Sequence, residues 1–156
     1  MKRLIVLIAA GALGAGAAAS GGSGSVQACK PGVKSIGGRL VRTFCGPARA
    51  TATVSGKRPA SFKQGSCTRL QSTFTVNIGT ITIGKWRPKY DYFGVAIAGA
   101  NHDGLYPLAS VAWSHGGRRY ALYNVKLRLA GNRTRGTFSG RVVGSHATAK
   151  GSFRCK

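Results

Sequence analysis

The stretch of the chain that decides the fold is 136–155, which reads GTFSGRVVGSHATAKGSFRC. Small or apolar residues alternate with polar ones in both of its halves, on either side of Gly144-Ser145. One set of alternate positions comprises Phe138, Gly140, Val142, Ala147, Ala149, Gly151, Phe153 and Cys155, and the other comprises Ser139, Arg141, Thr148, Lys150, Ser152 and Arg154. A period of two is that of a β-strand with one face in a core. We therefore predict a hairpin that turns Cys155 inward and keeps its bases in water.

The same alternation recurs upstream. Its apolar members are Ala50, Ala52 and Val54; Phe74, Val76 and Ile78; Phe93, Val95 and Ile97; Ala109, Val111 and Trp113; and Tyr123, Val125, Leu127 and Leu129. Ile81 and Ile83 resume out of phase after Gly79, which predicts a bulge or a turn there. Gly116-Gly117 and Gly131-Asn132 are typical of hairpin turns. No window beyond the leader has a helical period. The predicted fold is all-β, a disulfide-stapled antiparallel β-sandwich or small barrel of about seven or eight strands.

The chain has far more basic than acidic residues. Its 156 residues include 24 Lys plus Arg but only 2 Asp plus Glu, which gives a formal net charge of +22. Hydrophobic residues make up 43% of the chain, enough for the core of one domain. The surplus charge cannot be neutralised internally, so it predicts electrostatic attraction of anionic polymers, either a cell-wall polymer or nucleic acid.

The N-terminus has the organisation of a secretory signal peptide. Lys2 and Arg3 precede an apolar run, residues 4–19, and a Gly/Ser-rich stretch follows it. The run is short for a membrane span, which needs about 20 apolar residues. Cleavage after Ala19 or after Ala28 fits the small-residue rule, and the sequence leaves both open. We predict a secreted protein, with association to the cell surface as an option.

Three segments follow from this organisation. Residues 1–28 are the signal peptide and small-residue leader, 29–49 are an irregular segment punctuated by Gly and Pro, and 50–156 are the β-sandwich domain. Cleavage after Ala28 would place Cys29 first and raises the alternative of a lipoprotein. Gln27 is wrong for a lipidation signal, and lipidation of Cys29 would leave an odd number of thiols.

The four cysteines, Cys29, Cys45, Cys67 and Cys155, indicate two disulfides in an exported chain. Neither a C-x-x-C motif nor a metal-ligand spacing accompanies them, so we predict no metal and no cofactor. Sequence alone allows three connectivities. We favour Cys29–Cys45, which would fasten the Gly/Pro-rich segment, together with Cys67–Cys155, which would join an early strand to the last one.

Several short motifs resemble a known family. They are Val54-Ser55-Gly56-Lys57, Gly65-Ser66-Cys67-Thr68, the strand end 74–79, and the C-terminal pair 136–140 and 151–155. Together they resemble the mycobacterial nineteen-kilodalton lipoprotein antigen family and related small exported proteins of high-GC Gram-positive bacteria. The resemblance implies a β-sandwich at the cell surface with Cys67 paired to Cys155, and it supplies no catalytic residues.

Enzymatic chemistry has few candidates in this chain. Glycoside hydrolysis uses two carboxylates, and only Asp91 and Asp103 exist, both beside turn signals. A small basic nuclease is the alternative function, because His102, His115 and His146 could supply an acid and a base. All three lie in turn-like contexts, which favours solvated polar residues. We therefore expect a binding protein rather than an enzyme.

The strongest binding motif is the segment 85–93, which reads KWRPKYDYF. Basic residues that alternate with aromatic residues suit a polyanion whose charges pair with the basic side chains and whose rings stack on the aromatic ones. The structural alternative places the aromatics in the core and leaves the bases as a solvated face. Arginines at two predicted hairpin turns would widen the patch if the turns converge. The predicted polyanion-binding residues are Lys85, Trp86, Arg87, Lys89, Tyr90, Arg118, Arg119, Arg133 and Arg135.

Overall fold

The computed structural model describes residues 29–83 and 89–156, and every regular element in these ranges is a β-strand. The twelve strands are β1 (Gly32–Ile36), β2 (Arg39–Phe44), β3 (Arg49–Val54), β4 (Ala60–Phe62), β5 (Gly65–Arg69), β6 (Thr73–Ile83), β7 (Tyr92–Ala98), β8 (Gly104–Tyr106), β9 (Ser110–His115), β10 (Arg118–Ala130), β11 (Arg135–Val142) and β12 (Thr148–Arg154). All strand pairings are antiparallel.

The strands form two sheets that share β10. The order along the pairings is β1-β2-β6-β7-β9-β10-β11-β12-β3-β4, with β5 on β6 and β8 on β10. The beginning of β10 pairs with β9 in the first sheet, and the rest pairs with β11 and β8 in the second. The register shifts between Tyr123 and Lys126, where Asn124 has a φ of 51°. This irregularity lets one strand pass from one sheet to the other.

The two sheets face each other across an aromatic core. Ring centroids lie 5.9 Å apart for Phe74 and Phe153, 5.6 Å for Phe93 and Phe138, and 6.3 Å for Trp113 and Phe138. Each of these pairs joins a residue of the first sheet to one of the second. The predicted all-β antiparallel class is therefore confirmed, although the structure has more strands than the sequence predicts.

The additional strands come from short or exposed segments. Residues 29–49, predicted to be irregular, contain the hairpin of β1 and β2, and β2 continues the first sheet along β6. Only Val41 is buried in these two strands, so no alternation of buried residues marks them in the sequence. Tyr123 is a second correction, because the register shift leaves it 41% exposed instead of in the core.

The C-terminal hairpin is confirmed as β11 and β12. Phe138 lies directly opposite Gly151, and Gly136 lies opposite Phe153. A side chain on either glycine would collide with the ring of its partner. Each ring therefore covers the glycine across from it, and both glycines are required by this close approach.

Both disulfides join the pairs favoured from the sequence. Cys29 and Cys45 have Cα atoms 5.8 Å apart, and Cys67 and Cys155 have Cα atoms 5.6 Å apart. The second bond links β5 of the first sheet to the residue after β12 of the second. The predicted leader, 1–28, lies outside the described residues. Within the ranges 29–83 and 89–156, no helix is long and apolar enough to cross a membrane.

Gly79 is the irregular position that the sequence predicts in β6. On one edge of β6, residues 74–78 pair with β5, and residues 79–83 pair with β2. Gly79 has a φ of 84°, and a side chain there would collide with the backbone carbonyl of Asp91. The change of partner strand therefore needs glycine for its conformation and for its lack of a side chain.

We expect Gly79→Ala to lower the free energy of unfolding by about 3 kcal/mol, because it adds a steric collision to an unfavourable backbone conformation. Gly56→Ala is the matched control. Gly56 also has a positive φ, 75°, but a side chain there meets open space. It should cost only about 1 kcal/mol. Urea unfolding of the three proteins measures both values, and equal losses would contradict the close approach at Gly79.

Candidate functional site

The predicted basic segment is only partly within the described residues. Lys85, Trp86 and Arg87 lie outside them. Lys89 is exposed, with its Nζ atom 5.8 Å from the centre of the Tyr90 ring. The carbonyl oxygen of Tyr90 accepts a hydrogen bond of 2.7 Å from Ser114 Oγ, which holds this end of the segment against β9.

The predicted arginines lie in two separate places. Arg118 and Arg119 begin β10, whereas Arg133 and Arg135 follow its end. A strand of 13 residues spans roughly 40 Å when straight, at about 3.3 Å per residue. The two hairpin turns therefore do not converge, and the four arginines do not form one patch. Lys89 and Tyr90 lie nearer the first pair, because Ser114 pairs with Arg119 in the sheet.

Arg119 is exposed, and its charge acts on Tyr92, which belongs to an aromatic cluster on the outer face of the first sheet. Tyr92 donates a hydrogen bond of 2.7 Å to Asn77 Oδ1, and its ring lies 5.9 Å from that of Phe44. Arg42 lies over the Phe44 ring at 5.0 Å. Burial raises the pKa of the Tyr92 phenol, and the positive charges of Arg119 and Arg42 lower it by a smaller amount. Partial burial lowers the pKa of Arg119. This packing indicates a structural role.

Arg133 also has structural partners. Its backbone amide and that of Asn132 donate hydrogen bonds of 2.7 and 2.9 Å to the Asp103 carboxylate. Its Nη1 atom donates to the Ala100 carbonyl at 2.8 Å. These two backbone hydrogen bonds, followed by the charges of Arg133 and Arg135, lower the pKa of Asp103. Arg133 thus fixes the turn between β10 and β11.

The three histidines lie in three different places: His102 in the loop before β8, His115 at the end of β9, and His146 in a turn. His102 Nδ1 donates to the Asp103 carbonyl at 2.6 Å, and His115 Nδ1 lies 2.8 Å from Asp91 Oδ2. His146 is exposed in the turn between β11 and β12. His102 and His115 lie near opposite ends of β10, because Asp103 binds the turn that follows β10 and Asp91 binds the turn before it. This placement does not assemble a paired acid and base.

An open groove runs along the outer face of the second sheet. Three adjoining cavities of about 600, 610 and 590 Å³ share lining residues, so that together they follow the strand direction. The first and second share Thr51, Arg128 and Ser152. The second and third share Lys126 and Lys150. An elongated cavity of this kind suits a chain molecule better than a compact one.

The polar side chains that line the groove are basic or carry hydroxyls, and apolar residues such as the exposed Leu105 lie among them. Its bases are Arg49, Lys63, Lys126, Arg128, Arg135, Arg141, Lys150 and Arg154, and its hydroxyl residues are Thr51, Thr53, Ser55, Ser61, Thr137, Ser139, Thr148 and Ser152. Both acidic residues of the chain lie elsewhere, since Asp91 and Asp103 bind the turns at the two ends of β10. Neither acidic side chain lines the groove, although Asp103 interacts electrostatically with Arg135 at its end.

The strand register places like groups side by side. Arg154 lies directly opposite Arg49 on one side and Arg135 on the other. The next row across the sheet consists of Ser61, Thr51, Ser152, Thr137 and Arg128. Neighbouring strands are about 4.8 Å apart, so adjacent members of a row are close. Like charges directly opposite each other destabilise a sheet, and a bound anion would relieve this repulsion.

Of the predicted binding residues that the structure describes, only Arg135 lines this groove. The sequence did show that Thr148, Lys150, Ser152 and Arg154 share a polar face, but their neighbours depend on the pairing of β12 with β3 and β11. The alternation of polar and apolar residues within each strand was therefore the one signal in the sequence that pointed to this basic face. Among the described residues, no group of three or more His, Cys, Asp or Glu could hold a metal ion.

Comparison with protein-family models, with curated proteins and with solved structures finds no significant match to this chain. The resemblance to the nineteen-kilodalton lipoprotein antigen family therefore stays a prediction.

We expect Arg154→Thr to stabilise the free protein by about 0.5–1 kcal/mol at low salt, because it removes two like-charge cross-strand pairs. Lys34→Thr is the control, because Lys34 is also an exposed strand residue but lies opposite Val41. Urea unfolding suits the measurement because urea is uncharged. The gain should disappear at high salt, where the repulsion is screened. A gain that persists there would point to strand propensity instead.

Asp103 should make stability depend on pH. Its folded-state pKa lies below the ordinary value of 3.8. Its contribution is therefore complete above that ordinary value and is lost as the pH falls through the lowered pKa. Thermal unfolding between roughly pH 5 and pH 2 should show a steeper fall for the parent protein than for Asp103→Asn. Asp91→Asn, which leaves Asp103 in place, should retain the Asp103-dependent part of the fall. Parallel curves for the parent and Asp103→Asn would contradict the prediction.

Proposed function

We propose that this protein works outside the cytoplasm and binds an extended anionic polymer along the groove of the second sheet. Binding is non-enzymatic and does not depend on polymer sequence. The observation that carries the proposal is the row of Arg49, Arg154 and Arg135 at neighbouring positions of three adjacent strands. Folding brings these like charges together although each pair is unfavourable without a counter-charge.

The charge of the groove supports the same partner. Eight basic residues of the described chain line it, and neither Asp91 nor Asp103 does. Lysine and arginine bind a polyanion largely through the release of its counterions. The affinity should therefore fall steeply as the salt concentration rises. Because the phosphate or other anionic groups of a polymer repeat regularly, such contacts carry no sequence information.

Export is the second part of the proposal. Two disulfides join all four cysteines of the chain, and disulfides persist in oxidising compartments. The leader 1–28 has the pattern of a signal peptide, which is consistent with this placement. Retention at the cell surface would follow from binding to an anionic polymer there. Export of the protein and its binding to an anionic polymer are therefore two parts of the same hypothesis.

The test compares two variants that lose the same charge. One carries Arg49→Gln, Arg135→Gln and Arg154→Gln in the groove. The other carries Lys34→Gln, Arg39→Gln and Arg69→Gln, all exposed, outside the groove and outside the predicted binding residues. Inorganic polyphosphate of defined length is the probe, and titrations over a salt series give the slope of log affinity against log salt. The groove variant should reduce this slope by about two to three units and weaken binding at least ten-fold.

The control variant should bind nearly as the parent does. Equal losses for both variants would contradict a specific groove and would mean that the net charge acts diffusely. Thermal unfolding of each variant checks that it is folded before binding is measured. We expect the groove variant to be at least as stable as the parent, because it loses mutually repelling charges.

A further inference from the structure

Among the described residues that line the groove, none offers an exposed ring on which a nucleic-acid base could stack. Phe62, Phe138 and Phe153 contribute to its walls, but each is at most 4% exposed and packs in the core. Proteins that bind single-stranded nucleic acid usually offer exposed aromatic side chains, at about 1–3 kcal/mol per stacked base. The groove therefore has the positive charge that attracts a nucleic acid but lacks the exposed aromatic rings that would bind its nucleobases.

Hydroxyl groups occupy the positions between the charges. Along β12, the outward residues are Thr148, Lys150, Ser152 and Arg154, so that hydroxyl and base alternate at steps of about 6.8 Å. Across the strands, four hydroxyl residues stand in one row beside the row of arginines. In that row, Thr51 Oγ1 and Ser152 Oγ are 3.3 Å apart. A hydroxyl both donates and accepts hydrogen bonds, which suits another hydroxyl as its partner.

The row of arginines suits a phosphodiester. The guanidiniums of Arg49, Arg154 and Arg135 project from adjacent strands, about 4.8 Å apart at the backbone. The two unesterified oxygens of a phosphodiester point in different directions and can accept from two neighbouring guanidiniums.

We infer that the groove binds a phosphodiester polymer whose units are polyols or sugars with free hydroxyls, in preference to a nucleic acid. The phosphates lie against the arginines and lysines, and the hydroxyls of the units lie against the threonine and serine rows. This inference rests on the proposed function and adds the chemical class of the polymer. Charge provides attraction for any polyanion, and the hydroxyl rows select among them.

Three probes with the same number of phosphates test the selection. Poly(glycerol phosphate) has one free hydroxyl per unit. An abasic oligomer of tetrahydrofuran phosphates has the same three-carbon spacing between phosphates but no free hydroxyl, and oligothymidylate adds bases to a similar backbone. At one salt concentration, poly(glycerol phosphate) should bind about ten-fold more tightly than the abasic oligomer. The abasic oligomer and oligothymidylate should bind equally.

A hydroxyl variant shows whether the preference arises in the groove. It carries Ser61→Ala, Thr51→Val, Ser152→Ala and Thr137→Val, which leave every charge in place. The matched control carries Ser66→Ala, Thr68→Val, Ser110→Ala and Thr75→Val, on strands of the first sheet. The groove variant should bind poly(glycerol phosphate) and the abasic oligomer equally, with the salt slope of the parent. The control variant should keep the ten-fold preference.

The possible results separate the inference from the proposed function. Tighter binding of oligothymidylate than of the abasic oligomer would mean that bases contribute, and it would overturn the inference alone. Equal binding of poly(glycerol phosphate) and the abasic oligomer by the parent protein would do the same. Binding of all three probes that is unchanged by loss of Arg49, Arg135 and Arg154 would overturn the proposed function as well.

Discussion

The structure depends on the reciprocal packing of two phenylalanines on two glycines in the C-terminal hairpin. Phe138 covers Gly151, and Phe153 covers Gly136, so both rings lie close to their own sheet. The same rings contact Phe93, Trp113 and Phe74 of the first sheet and form the centre of the interior. Since side chains alternate along a strand, fixing these residues inward also fixes the basic and hydroxyl residues between them outward. The same alternation of side chains along the strands therefore produces both the core and the groove.

The division of the molecule into two different faces follows from the path of β10. Its irregular segment around Asn124 carries the chain from the first sheet to the second. The outer face of the first sheet then holds Tyr92 in a packed cluster with Phe44, where burial raises the pKa of Tyr92. The outer face of the second sheet keeps its bases exposed and beside one another. Among the described residues, the register therefore brings like charges together in the row of Arg49, Arg154 and Arg135.

The sequence predicted the fold class, both disulfides, the inward set of the C-terminal hairpin and the irregular position at Gly79. These features depend on local alternation, turn residues and cysteine parity, which one chain segment is sufficient to show. It did not predict β1 and β2, because hardly any residue in them is buried. It also did not predict the groove, because Arg49 and Arg154 are 105 positions apart and meet only through the pairing of β3 with β12. A cross-strand row has no counterpart in the linear order of residues. The predicted segment around Lys85–Arg87 lies outside the described residues and stays a prediction.

The bond between Cys67 and Cys155 gives the groove a mechanical property. Cys155 directly follows Arg154, so the end of the arginine-bearing strand is covalently fastened to β5 of the opposite sheet. A polymer attached to a cell surface and dragged by flow would pull on β12 through Arg154. The load would then pass through a covalent bond into the first sheet instead of peeling β12 from its neighbours one hydrogen bond at a time. A tethered polymer bound as proposed would therefore be held under tension with the groove intact, because the disulfide joins the two sheets.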